Sequence, residues 1–440
     1  MKFLATVLHR WIGLSIAGFL FLSGVTGAVI SWDHELDELL NPHLTEVASR
    51  GRAIPSLDLA RQVEARDPRV RVTVVPMAAE SGESLAFSVE PRVDPSSGRL
   101  FEPEYNQVFL DPVTGDELGR REWGAAWPIT TETLVSFLYR LHYSLHIPEM
   151  WGIDEWGLWL MGAIALVWTV DCFIGFYLTL PMRHAPSRDR PVAVERALKR
   201  GWWSRWAPAW KIRARGSSYR LNFDIHRAFG LWTWLFLFIL AFTGFSLNLY
   251  REIFYPLMSL ISSVTPGPFD VRTPSGKHQP IEPRLAFDEI VGRAREEGVR
   301  RAWQEPLGAV FYSPSFGVYG AMFHHPGDDH GAAGVGPAVL YFDGQDGRLI
   351  GDRQPWKGTA ADIFVQAQFP LHSGRILGLP GRILISIMGI VVAALSVTGV
   401  VIWTRKRRAR MSARRRKVEP VRPLSKSAFT TSGMPSLRKD

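Results

Sequence analysis

The sequence predicts an α-helical integral membrane protein, with a four-transmembrane-helix core from an internal duplication and two α+β external domains. Four apolar runs, at 11–31, 156–180, 229–250 and 379–403, reach the roughly 20 residues that cross a bilayer. Two of them share a template: His9-Arg10 and His226-Arg227 are each followed by a glycine four residues after the histidine (Gly13, Gly230). Each also has Thr-Gly seventeen residues after it, at Thr26-Gly27 and Thr243-Gly244. The segments after these two runs carry matching hairpin signatures, which makes a duplicated unit of about 200 residues.

Four runs of this length exclude an ordinary soluble core, and the zero mean hydropathy averages them with polar segments. The first run lacks a clear small-x-small cleavage site and reads as a retained helix rather than a signal peptide. Lys and Arg total 51 against 42 Asp and Glu, and the excess is local. The segment 183–220 holds eleven Lys or Arg against Asp189 and Glu195, and the tail RKRRARMSARRRK follows Trp403. The positive-inside rule therefore places both termini and the middle loop in the cytoplasm. Beside a membrane helix the basic tail reads as a topology signal and a contact with membrane lipids, not as a nucleic-acid site. The single cysteine, Cys172, excludes an intrachain disulfide and any Cys-based metal or covalent-haem motif.

The order is then a first helix within 1–32, an external domain over 33–133, and a pre-helix segment with the second helix over 134–181. A basic loop over 182–222 leads to the third helix at 223–250 and a second external domain at 251–358. A pre-helix segment and the fourth helix (359–404) precede the tail at 405–440. In the first external domain SLDLARQVEARDP reads as a helix, and VRVTVVPM and LAFSVEP as strands; in the second RLAFDEIVGRAREEG reads as a helix, and GAVFYSP and GVYGAMF as strands. QVFLDPVTGDELG and AVLYFDGQDGRLIG each place Asp and Gly in a turn between two strands. In the loop, Trp202, Trp206 and Trp210 lie on one helical face among basic residues, an interfacial amphipathic segment or a docking surface for an acidic electron donor.

Leu-His precedes the second and fourth helices, at His142 and His372, and a glycine lies near the far end of each helix, Gly175 and Gly399. Spacing in the first half leaves His146 as the alternative to His142. Topology thus sets His9 and His226 near the cytoplasmic face and His142 or His146 with His372 near the external face, one member of each pair from each half. Ionisable groups in membrane helices are costly and point to function. Facing imidazoles without Cys, Asp or Glu in register fit b-type haem better than zinc, and two such pairs predict two b-type haems. Gly13 and Gly230, on the same face as their histidines, let a porphyrin approach the backbone, although helix packing alone also uses such glycines. Arg10 and Arg227 on one side, and Arg140, Arg375 and Arg382 on the other, are candidates for the haem propionates or for snorkelling to headgroups. Asp171 is open between pairing with Arg10 or Arg227 and moving protons. The cluster His324, His325, Asp328, Asp329 and His330 is a loop tip with metal-friendly side chains.

His-Arg-x-x-Gly with the late Thr-Gly, Leu-His before the even helices, and the turn Asp111 to Gly115 with its looser copy Asp343 to Gly347 resemble the PepSY-associated transmembrane family over nearly the whole chain. The resemblance implies PepSY-like external domains, with His9 and His226 as ligands of a cytoplasmic-side haem and His142 and His372 of an external-side one. Similar proteins include di-haem ferric-siderophore reductases of the bacterial inner membrane. The expected function is therefore a multi-pass inner-membrane reductase passing electrons from an unidentified cytoplasmic donor to a periplasmic ferric-siderophore. Walker and dinucleotide-binding motifs are absent, as that reading expects. The alternatives are a non-enzymatic sensor or regulatory protein binding an external partner, and, more weakly, a metal permease.

Overall fold

A computed structural model describes residues 1–181, 201–328 and 330–418, with side chains to Ala413. Residues 182–200 of the basic loop, Asp329 and the tail beyond 418 lie outside the described residues. Three straight helices are long and apolar enough to cross a membrane: α1 (Lys2–Ile30), α4 (Trp156–Thr179) and α9 (Leu379–Val418, of which Leu379–Ala413 meets the test). A fourth crossing is a bent pair, α5 (Ser218–Trp232) and α6 (Trp234–Asn248). The remaining longer helices are α2 (Ser56–Arg66), α3 (Thr131–Ser144) and α7 (Phe287–Arg300), with the short α8 (Gln368–Ser373) before α9. Val170 and Phe173 on α4 and Ile387, Ile390 and Val397 on α9 stay exposed, as side chains facing lipid do.

The run at 229–250 is not one straight helix. It belongs to two helices meeting at 70° around Thr233. There the backbone leaves helical geometry (φ −104°, ψ 8°), and the Thr233 hydroxyl donates to the Phe229 carbonyl at 2.7 Å. Such back-bonding by a β-branched residue competes with the helical ladder and favours a bend. The segment after residue 200 braces the turned half: Arg227 donates to the Pro208 and Ala209 carbonyls, and the Trp232 indole to the Trp210 carbonyl. Trp206 of the tryptophan face is buried on Phe176 of α4 rather than lying free at an interface. The basic stretch after Trp403 continues α9 as helix to Val418.

The predicted strands form with close to the expected bounds: β1 (Val70–Pro76), β2 (Leu85–Pro91), β3 (Gln107–Leu110), β4 (Glu117–Arg121), β5 (Leu307–Ser313), β6 (Val318–Phe323), β7 (Ala338–Asp343) and β8 (Leu349–Arg353). They do not make two separate sheets. A single antiparallel sheet runs β4-β3-β2-β1-β5-β6-β7-β8, joined at its centre by Val74 opposite Phe311 and Val75 opposite Val310. Pairing β1 with β5 removes two strand edges that separate domains would leave open. Leu59 and Val63 of α2 cover Val70, Phe87 and Leu110, while Ile290 and Ala294 of α7 cover Val310, Tyr319 and Leu340. Both hairpin turns close by one device: Asp111 accepts from the Val113 and Thr114 amides, Asp343 from the Gln345 amide, and Gly115 and Gly347 take positive φ.

In the bundle α1 lies against α9 through Gly24 and Gly389. A Cβ on Gly24 would stand 2.6 Å from the Gly389 carbonyl oxygen, and one on Gly389 2.4 Å from that of Gly24. Small residues permit this backbone approach where no hydrophobic force drives helices together. Gly24→Val is expected to destabilise the detergent-solubilised protein by about 1–3 kcal/mol, read as a lower unfolding midpoint, whereas Gly18→Ala, which meets nothing within 4 Å, leaves it unchanged.

Candidate functional site: two facing histidine pairs

Four histidines from separate elements meet in two pairs. His9 on α1 faces His226 on α5, with ring centres 6.4 Å apart and planes at 54°. His142 on α3 faces His372 on α8, at 6.0 Å and 62°. The second pair lies at the end of the bundle that carries the sheet, and the first at the opposite end. Seventeen residues separate His9 from Thr26, the threonine of α1 beside His142. Unbroken helix spans about 25 Å over that length.

Each ring is held on its Nδ1 side by the membrane helix that accompanies it in its own half of the chain. His9 Nδ1 is 2.9 Å from both Asp171 oxygens on α4, and His226 Nδ1 is 2.9 Å from Thr398 Oγ1 on α9. His142 Nδ1 is 3.1 Å from Thr26 Oγ1 on α1, and His372 Nδ1 is 2.9 Å from Thr243 Oγ1 on α6. Direction follows from chemistry. A carboxylate only accepts, so His9 donates from Nδ1. The three threonine hydroxyls already donate to carbonyls one turn back, Leu22, Ile239 and Ala394, at 2.7–2.8 Å. Their oxygens are therefore acceptors for the imidazoles, which fixes the Nδ1–H tautomer and leaves an Nε2 lone pair on every ring.

A glycine lies against each Cε1. A Cβ would come within 2.9 Å of the His142 ring from Gly27, 3.3 Å of His9 from Gly175, 3.3 Å of His226 from Gly399, and 3.5 Å of His372 from Gly244. At Gly27 that distance is too short for any Cβ, so the bare backbone is what lets the ring lie where it does. Gly13 and Gly230, one turn beyond His9 and His226, meet nothing within 4 Å. They border open space beside the pair.

The other site candidates divide. His146 does not join the external pair: at φ 51° it turns back, stacks on Phe137 at 4.6 Å and bonds the Phe137 carbonyl. His142 is thus the residue paired with His372. Arg227 is bound to buried Asp224 at 2.8 Å as well as to the loop carbonyls, so it holds the bent helix rather than facing a ligand. Arg375 pairs with Asp33 at 3.2 Å and Arg382 forks onto Glu35 at 2.7 and 2.6 Å. Burial raises the Asp33 carboxyl, but the hydrogen bond from His34 and the Arg375 charge outweigh it and hold the group below its ordinary value. Arg140 bonds the Gly124 carbonyl. Arg10, stacked on Trp11, keeps a buried Nε with no hydrogen-bond partner. Asp171 serves His9, and neither Arg10 nor Arg227.

Among the described residues no three metal-ligating side chains of the kind His, Cys, Asp or Glu converge. The His324–His330 loop is thus not a multidentate centre within the described residues: His324 bonds the His325 carbonyl, and His330 packs edge-on against His34 at 4.9 Å. Sequence reasoning missed Thr398 altogether and gave Thr26 and Thr243 no task. The signal was available, since Thr398-Gly399 repeats the Thr-Gly dipeptide already noted twice.

Nitrogen NMR of histidine-labelled protein without added cofactor is expected to show all four paired imidazoles protonated at Nδ1 and bare at Nε2. The opposite tautomer at any of them contradicts the geometry.

A comparison with curated proteins finds no match. The family described as the PepSY-associated TM region matches residues 6–406. Nearly the whole chain, apolar helices and sheet included, falls inside that match, and this multi-pass membrane protein belongs to the PepSY-associated TM region family.

Proposed function

We propose that the chain is an inner-membrane reductase that carries electrons from a cytoplasmic donor to an external ferric-siderophore, with two b-type haems held by the histidine pairs. The observation that carries this reading is the pairing itself: two sets of facing imidazoles, each with its Nδ1 engaged and its Nε2 lone pair available.

The residues present fit the group. Two imidazole nitrogens each about 2 Å from a common metal put their ring centres roughly 6 Å apart, close to the 6.4 and 6.0 Å found. The donor set is imidazole on both sides, as in b-type sites. Gly13 and Gly230 border open space for a flat ligand, and the unpartnered Nε of Arg10 suits a carboxylate at the membrane edge. His9 and His226 would hold one haem, and His142 and His372 the other. When bound, each supplies a one-electron carrier within an apolar interior.

The chain supplies the placement. Asp171, next to His9, makes that imidazole a more electron-rich ligand than a threonine does for the others, so the two ends of the bundle are electronically unlike. The separation of about 25 Å along α1 compares with a hydrocarbon thickness of about 30 Å, so the pairs stand near opposite faces. The described part of the basic loop, at Pro208 and Ala209, braces the His226 helix at the His9 end, and the positive-inside rule makes that end the cytoplasmic one. One electron from the donor converts one ferric centre to ferrous, which hard oxygen-rich chelators bind more weakly, and iron is released.

The test uses proteoliposomes with reductant on the cytoplasmic side and a ferric trihydroxamate complex outside. His372→Ala is expected to keep the haem at His9 and His226 and to abolish external reduction. His9→Ala or His226→Ala should lose that haem and stop electron entry. Asp171→Asn, which keeps the shape, should slow the reaction about 10–100-fold. Unchanged haem content and activity in all of these variants contradicts the proposal.

A further inference from the structure

A cleft of about 400 Å³ opens where the two halves of the sheet meet, between α2 and the N-terminus of α7. Its walls come from both halves, with Leu57 and Glu64 on one side and Glu282 to Asp288 on the other. Its charges are nearly matched in pairs: Arg61 with Asp288 at 2.9 Å, Arg92 with Glu64 at 3.0 Å, and Arg71 with Glu282. One cation is left over, and another is only partly satisfied. Arg284 lines the cleft and, among the described residues, has no carboxylate partner. Arg71, with a side chain only 5% exposed, has an Nε that is buried without a hydrogen-bond partner.

A buried guanidinium nitrogen left unbonded is costly, and Arg71 is neither on the route between the histidine pairs nor part of the sheet's apolar core. Glu90 stands opposite it on β2, but the carboxylate that hydrogen-bonds it is Glu282, which is 60% exposed and reaches in from the far half, so it is displaceable. α7 begins at the same place with Ala286 at its N-cap and Asp288 and Glu289 in its first turn, and among the described residues no side chain accepts its first-turn amides. Those amides and the helix dipole favour negative charge there. The rest of the wall is apolar or aromatic, with Leu57, Phe287 and the ring of Tyr312. Volume and position between two units are those of small-molecule sites.

We infer that this cleft binds an organic dicarboxylate with an apolar or aromatic body, one carboxylate on Arg71 in place of Glu282 and the other on Arg284. Carboxylate is favoured over phosphate because Arg71 already accommodates a carboxylate, and the apolar wall needs an organic body to cover it. The inference stands apart from the redox reading, since nothing in it involves the histidine pairs.

Isothermal titration of the full chain in detergent tests it, with isophthalate as probe and acetate and inorganic phosphate as comparisons. Isophthalate is expected to bind and to weaken by about tenfold or more in Arg284→Gln, which loses one charge-assisted hydrogen bond. Arg284 is exposed, so that variant keeps its fold. Glu282→Gln should bind more tightly, because the competing carboxylate is gone. No isophthalate binding at millimolar concentration, unchanged affinity in Arg284→Gln, or equal binding of acetate or phosphate overturns the inference.

Discussion

Each histidine of the two pairs is fixed at Nδ1 by a membrane helix of its own half, and each pair joins one half to the other. Asp171 of α4 holds His9 of α1, Thr26 of α1 holds His142 of α3, Thr243 of α6 holds His372 of α8, and Thr398 of α9 holds His226 of α5. Any shift of one helix against its companion disturbs a tautomer at one end of the bundle. Most other features serve this constraint. The bend at Thr233 lets α6 follow α4 while α5 turns to bring His226 to His9. Gly24 and Gly389 bring α1 and α9 close enough for their two halves to share a centre. The glycines against the rings remove the one atom that would push the imidazoles out of place.

The sheet repeats the logic outside the bundle. β1 and β5 join the halves edge to edge, and Arg71 reaches across to Glu282. The chain segments that leave this sheet, through α3 and α8, deliver His142 and His372. A rigid sheet therefore fixes how far apart the two members of that pair can sit. At the opposite end the described residues form no such platform, and the bracing among them falls to Arg213, Asp224, Arg227 and the tryptophan segment. The arginines that sequence alone offered to a ligand are largely used in this way, as struts between elements.

The secondary structure was legible because its signals are local. Strand alternation, the Asp-Gly turns and the long apolar runs gave the elements, and the recurrence of His-Arg-x-x-Gly and Thr-Gly gave the paired histidines. The choice between His142 and His146 was not legible, because it rests on a positive φ and on stacking against Phe137 rather than on spacing. The bend at Thr233 lacks the Pro that usually announces one. The merging of eight strands depends on two edges meeting across more than 200 residues, which local pattern does not encode. The same holds for Arg227 and Arg375: their sequence position beside the histidines suggested a ligand, while Asp224 and Asp33 claim them in three dimensions. Thr398 shows the reverse, a residue whose motif was visible and whose task became clear only when His226 was seen beside it.

The measurement that bears most directly on the central claim is the absorbance spectrum of the purified protein, air-oxidised and then dithionite-reduced, with haem counted per chain. Two facing imidazole pairs predict two b-type haems per chain with sharp low-spin bands on reduction. A protein that stays colourless after reconstitution with haem would contradict the account.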